Sequence, residues 1–111
     1  MSGIETVTQP RYFVVAMTTR FNSLDDAMRD APEAMGAHVA RSRHLHAEGV
    51  LLMAGAFVDH PGEPVQTMGI LSSREAATEY AENDPFVVAG MVEKWEIREW
   101  ANIFAARPSS D

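Results

Sequence analysis

Two residues in this 111-residue chain have the right types for proton transfer: His38, in AMGAHVARSRHLHA, and Asp84, in AENDPFVVAGM. An imidazole changes charge near neutral pH and passes protons in either direction. A carboxylate bonded to it fixes its tautomer and raises its basicity, the arrangement of a general base. The remaining histidines of the four, His44, His46 and His60, form no i, i+4 pair with His38 or with one another. No HExxH run is present either, so the spacing gives a metal site no support. Both residues also have a plainer reading. His38 on an apolar face could be a core histidine bonded to a backbone carbonyl. Asp84, directly before Pro85, suits the N-cap of a helical turn with proline at its first position.

The surrounding elements decide whether the two can meet. RYFVVAMTT (11–19) is β-branched and aromatic and predicts a buried strand. Ser23 with Asp26 resembles a capping box and starts a short helix that must stop before Pro32. Pro32 opens a second helix running to about Glu48, with Gly49 as its left-handed stop. At about 100° per residue, Ala31, Ala34, Met35, His38, Ser42 and Leu45 share one face of that helix. A histidine thus sits near the middle of an apolar stripe.

VLLMAGAF (50–57) and VQTMGILS (65–72) predict two further strands, each with an interior glycine that marks a bulge or a close approach. The Pro- and Gly-rich 58–64 segment turns between them. Ser72 with Glu75 reads as a capping box for a helix ending near Asn83, with Ala76, Ala77, Tyr80 and Ala81 on its inner side. PFVVAGM adds one helical turn, and VEKWEIREW (92–100) alternates as a strand with one wet face.

Strand, helix, strand, strand, helix, strand is the split βαβ order of ferredoxin-like folds. It predicts an α+β domain over 11–104, between a flexible leader (1–10) and a flexible tail (105–111). The four-stranded antiparallel sheet carries two main helices on one face. In that fold the first main helix lies beside the end of the second, which would bring His38 up to Asp84. The other sheet face needs a cover, and a two-fold-related copy of the chain is the natural one.

Composition narrows the function classes. Apolar residues make up 46% and charged residues 23% of the chain, and the net charge is −7. That balance disfavours nucleic acid and anionic membranes as partners. The chain has no cysteine, which excludes disulfides, thiolate catalysis and Cys-based zinc sites and fits a cytoplasmic location. No apolar run approaches the ~20 residues of a membrane span, and the N-terminus lacks a signal-peptide pattern. The glycines make no GxGxxG or P-loop spacing. Ser42, Ser72 and Ser73 lack a nucleophile-elbow context. Met17, Met35, Met53, Met68 and Met91 read as adaptable core filler.

AHVARSRHLHAEGVLLMAGAF, SSREAATEYAENDPFVVAGM and EKWEIREW together resemble the YCII-related family, over roughly Arg11 to Phe104. That pattern is a helix with a histidine, a Leu-His-x-x-Gly ending, a strand with Ala-Gly, a Ser-x-x-x-Ala helix and Asp-Pro-Phe or Asp-Pro-Tyr before a short Ala-Gly turn. The resemblance implies a ferredoxin-like subunit pairing into a dimeric α+β barrel, with a site built from the helix histidine and the Asp-Pro-Phe aspartate, here His38 and Asp84. Lactone isomerases and a dehydrochlorinase of hydroxylated aromatic rings belong to the same superfamily. This chain departs from the pattern in a longer acidic segment before His38 and in Gly55-Ala56-Phe57, where the family usually continues Ala-Gly-Pro.

The resulting expectation is a homodimeric, cofactor-independent lyase or isomerase, with no metal, acting on a small cyclic or aromatic molecule. His38 would be its acid/base and Asp84 its partner, with Phe13, Phe57, Phe86 and Trp95 as the apolar wall of the substrate site. The rival expectation is a non-catalytic dimer that binds a small molecule or serves a structural role, with His38 satisfied in the core.

Overall fold

The computed structural model describes residues 9–104. Residues 1–8 of the expected leader, and the expected tail (105–111), lie outside the described residues. The elements run β1 (Arg11–Thr19), α1 (Leu24–Asp30), α2 (Pro32–Ala47), β2 (Leu51–Ala56), β3 (Gln66–Leu71), α3 (Arg74–Glu82), α4 (Pro85–Val88) and β4 (Val92–Ala101). The strands form one antiparallel sheet of four in the order β2-β3-β1-β4. Strand order and helix placement are those of an α+β, ferredoxin-like βαββαβ fold.

Alternation along β1 sets the two faces. Val15, Met17 and Thr19 point under the helices and are buried, whereas Val14 and Ala16 point to the open side, paired with Ile70 and Met68. The core gathers Val15, Met17, Leu51 and Leu71 from the sheet against Ala77, Tyr80 and Ala81 of α3. Two alanines with no measurable exposure let α3 lie close on the strands. Gly69 contributes to the same fit, since a Cβ there would stand 3.4 Å from Leu51 Cδ1 and 3.6 Å from the Tyr80 ring.

The second main helix is seated differently. Ala31, Ala34, Met35, His38, Ser42 and Leu45 do turn inward, yet none of the residues of α2 is fully buried. The helix rests at its ends and stands off the sheet in between. At its C-terminus Leu45 and Val50 pack on the main core. There Gly49 adopts φ +77°, with Gly49 N–H bonded to His46 O at 3.1 Å and Val50 N–H to Leu45 O at 2.9 Å, the Schellman pattern. At its N-terminus Ala31, Ala34 and Met35 meet a second small cluster of Phe21, Ala27 and Phe86. The acidic segment before His38 thus becomes α1, which wedges Ala27 into that cluster, capped by Ser23 Oγ accepting from Asp26 N at 3.0 Å.

One cap differs from the sequence reading. Ser73, not Ser72, has the extended backbone of an N-cap and accepts from Ala76 N at 3.0 Å. Both serines fit the composition rule, and the strand register selects between them, because Ser72 N–H still bonds to Val50 O at 3.1 Å. Ser73→Ala is expected to cost about 1 kcal/mol of stability, and Ser72→Ala markedly less, read as the difference in urea midpoints between the two variants.

Candidate functional site

Asp84 occupies the joint between α3 and α4. Its backbone is extended (φ −60°, ψ 133°), as an N-cap requires, and Pro85 follows at the first helical position, where its missing N–H removes no bond. The carboxylate is 1% exposed. Oδ2 accepts from Phe86 N at 2.9 Å and Val87 N at 3.3 Å. Oδ1 turns the other way and meets His38 Nδ1 at 2.5 Å. The four-residue helix α4 then closes on Gly90 (φ +77°), which repeats the stop used by α2, with Met91 N–H bonded to Phe86 O at 2.8 Å. This short, doubly fixed turn holds the carboxylate in place.

His38 reaches it from α2, its side chain 26% exposed. The ring leans on Phe86, centroids 5.1 Å apart and planes tilted by 39°, and Phe86 is itself braced edge-on by Phe21 at 5.5 Å. A carboxylate only accepts, so its partner nitrogen Nδ1 carries the hydrogen in the neutral ring and Nε2 holds the lone pair. Among the described residues no protein group bonds to Nε2. One turn further along α2, Arg41 ties the helices together. Its Nη1 donates to Tyr80 O at 3.0 Å, and its Nη2 to Glu79 O at 3.1 Å and Glu79 Oε1 at 3.0 Å. Sequence reasoning did not single out Arg41; an arginine on the inner edge of the helical stripe is the trace it leaves.

The space left under α2 is a cavity of about 330 Å³. Its floor is Val15, Met17 and Gly69, its roof Met35, His38 and Ser42, and Asp84, Tyr80 and Phe86 close one side. Of the four aromatic residues expected at an apolar wall, Phe86 lines this cavity. Phe13 sits under the start of α3 with the Arg74 guanidinium 5.0 Å above its ring. Trp95 packs on the flank of the main core from β4, and Phe57 projects beyond the end of β2, about half exposed.

Two polar side chains missing from the sequence-based site do face the cavity. Tyr80 is almost fully buried, and burial, assisted by the Asp84 charge, pushes its phenol above the usual tyrosine value, while the Ser42 hydroxyl and Arg41 pull the other way. The signal for both was spacing: Tyr80 and Asp84 are four residues apart, as are His38 and Ser42. Among the described residues no cluster of three or more His, Cys, Asp or Glu side chains could hold a metal ion, and no helix is long and apolar enough to cross a membrane.

Comparison with known proteins agrees with the architecture. The chain is 33% identical over 100 residues to the protein YciI of Escherichia coli O6:H1, a match covering 83% of this chain and 98% of that protein, and equally to YciI of Shigella flexneri. Among solved structures it is similar to 5-chloro-2-hydroxyhydroquinone dehydrochlorinase (TftG) from Burkholderia phenoliruptrix AC1100, in complex with 2,5-dihydroxybenzoquinone. That likeness has a TM-score of 0.56 at 17% identity and covers 80% of this chain and 92% of that one. Rv0793 from Mycobacterium tuberculosis matches with a TM-score of 0.52 at 16% identity, over 87% of this chain and 99% of that one. At such identities the structural likeness is one of fold. The YCII-related domain, in contrast, matches residues 12–101, nearly the whole described chain, and the chain belongs to the YCII-related family.

Proposed function

We propose that the chain is a cofactor-independent lyase or isomerase that moves a proton on a small cyclic or aromatic molecule, with His38 as acid/base and Asp84 as the carboxylate that orients it. The observation that carries this reading is the 2.5 Å contact between His38 Nδ1 and Asp84 Oδ1 at the wall of a cavity of about 330 Å³. That volume lies near the lower end of the ~300–1,000 Å³ usual for ligand pockets, so it suits a single ring.

The chemistry follows from the hydrogen bonds. Asp84 Oδ1 accepts from Nδ1–H and leaves the Nε2 lone pair free to take a proton from the substrate. The imidazolium so formed lies against a carboxylate already fixed by two backbone amides, so it gains a counter-charge without reorganisation. His38 then returns the proton elsewhere on the substrate in an isomerase, or an electron pair expels a leaving group in a lyase. The shared fold of a dehydrochlorinase holding a dihydroxybenzoquinone supports a hydroxylated ring as the kind of substrate.

The same reading includes a homodimer. Val14, Ala16, Met68 and Ile70 lie half-covered on the open face of the sheet, flanked by the exposed side chains of Met53 and Trp100. Packing this face on its two-fold copy would bury it and complete an α+β barrel.

Solvent exchange tests the catalytic half. Hydroxylated quinones and cyclic enones incubated in D₂O are expected to take up deuterium at ring carbons faster with the protein than without it. His38→Gln should lose roughly 10²–10⁴-fold of that acceleration, and Asp84→Asn a smaller part. A folded His38→Gln protein exchanging at the wild-type rate would contradict the assignment. Sedimentation equilibrium tests the other half: twice the chain mass is expected, and a monomer at all concentrations would leave the open face without its cover.

A further inference from the structure

Four side chains around the cavity form two rungs. His38 and Ser42 are one turn apart on α2, and Tyr80 and Asp84 are the same four residues apart across the joint of α3 and α4. His38 pairs with Asp84, and Ser42 lies near enough to Tyr80 to act on its phenol. On α2, side chains at this spacing stand about 5–6 Å apart, roughly the breadth of one substituted ring. All four line the same hollow.

The second rung is built of neutral donors, and its tyrosine is held firmly. The Tyr80 ring lies over Gly69, where a Cβ would come within 3.6 Å of it, and the Arg41 guanidinium covers the ring at 5.3 Å. Ser42 acts on the phenol as a group that favours its charged form, against the larger opposing effect of burial. Tyr80 lines the hollow, so its phenolic hydrogen can be offered to a ligand there. Burial keeps that hydrogen on the oxygen at neutral pH. A core tyrosine with no further role would more commonly direct its hydroxyl to a carbonyl or to water.

We infer that Tyr80, steadied by Ser42, is the donor that binds a substrate oxygen one ring-width from His38, which makes the substrate a cyclic molecule bearing a carbonyl or phenolic oxygen conjugated to the carbon that exchanges its proton. The inference rests on the acid/base reading of His38 and Asp84. In the step it describes, His38 Nε2 takes the proton from the ring carbon. The C–H pair becomes a new C=C bond, and the carbonyl π pair moves onto oxygen, where Tyr80 O–H meets it. Return of the proton to another carbon of the conjugated system re-forms the carbonyl, so atoms and electrons balance with no oxidant or reductant.

The probe is 4-nitrophenolate, with nitrobenzene as the control lacking the oxygen. Wild-type protein should bind the phenolate with its visible band to the blue of the band in the Tyr80→Phe complex, the mark of a hydrogen bond from Tyr80 to the charged oxygen. Tyr80→Phe, which keeps the ring, should weaken phenolate binding about tenfold or more, move the bound band to the red and leave nitrobenzene affinity unchanged. Ser42→Ala should weaken binding less and move the band less, and it decides the matter if Tyr80→Phe does not fold: an unchanged affinity and band position there would count against the assignment. His38→Gln should keep both the binding and the band position while losing deuterium exchange. Unchanged phenolate affinity and band position in folded Tyr80→Phe would overturn the assignment, whatever His38→Gln does to exchange. So would failure of the wild type to bind the phenolate at millimolar concentration. The acid/base reading fails separately, if His38→Gln exchanges normally while Tyr80→Phe still loses the phenolate.

Discussion

A carboxylate that is 1% exposed must have both of its oxygens met, because an unpaired buried charge is among the costliest defects a fold can carry. Asp84 meets that demand from two directions. One oxygen is taken by the first amides of α4 and the other by the His38 ring. The helix-start reading and the chemical reading of this residue are therefore the same geometry seen from its two oxygens. The amide side fixes where the carboxylate stands, and the position of α2 follows from it. If α2 moved out by a turn or rotated, the imidazole would be lost and the charge stranded.

The hollow beside this pair arises from an asymmetry between the two main helices. The inner face of α3 carries alanines, and Gly69 lies beneath its tyrosine, so that helix sits directly on the strands. The inner face of α2 carries Met35, His38 and Ser42 and meets the core only near its two ends. Arg41 fastens it to the last carbonyls of α3, the polar end of that helix where a cation is favoured. The helix is held from the side rather than from below, and a cavity of about 330 Å³ stays open under it. Close packing is the norm in protein interiors, so a void walled by a histidine, an aspartate and a tyrosine stands out as a place for a ligand.

Much of this was legible in the chain. The β-branched and aromatic run at 11–19, the alternation at 92–100, the proline at position 32 and the glycine at 49 marked the elements to within a residue or two, and their order implied the sheet. The face of α2 was legible as well: the residues that share it at 100° spacing are those that turn inward. The extent of their burial was not, because periodicity reports direction and says nothing of how far a helix stands from the sheet. The aromatic residues show the same limit. Phe13 does point to the helix side, yet it lies beyond Val15 toward the start of α3, away from His38. Phe57 follows the last residue of β2 and passes beyond the sheet. Which end of a face a side chain occupies depends on strand register, a long-range property. Tyr80 and Ser42 left a clear trace in their spacing from Asp84 and His38, but their gathering at one cavity is a tertiary fact.

The most direct measurement is a long-range ¹H–¹⁵N correlation spectrum of the histidine rings, in wild type and in Asp84→Ala, at a pH where the rings are neutral. A His38 ring held by a carboxylate should carry its hydrogen on Nδ1 alone, with a far-downfield proton resonance that is absent from the variant. A ring protonated on Nε2, or one averaging between tautomers in wild type as it does in the variant, would mean that the carboxylate does not set the imidazole.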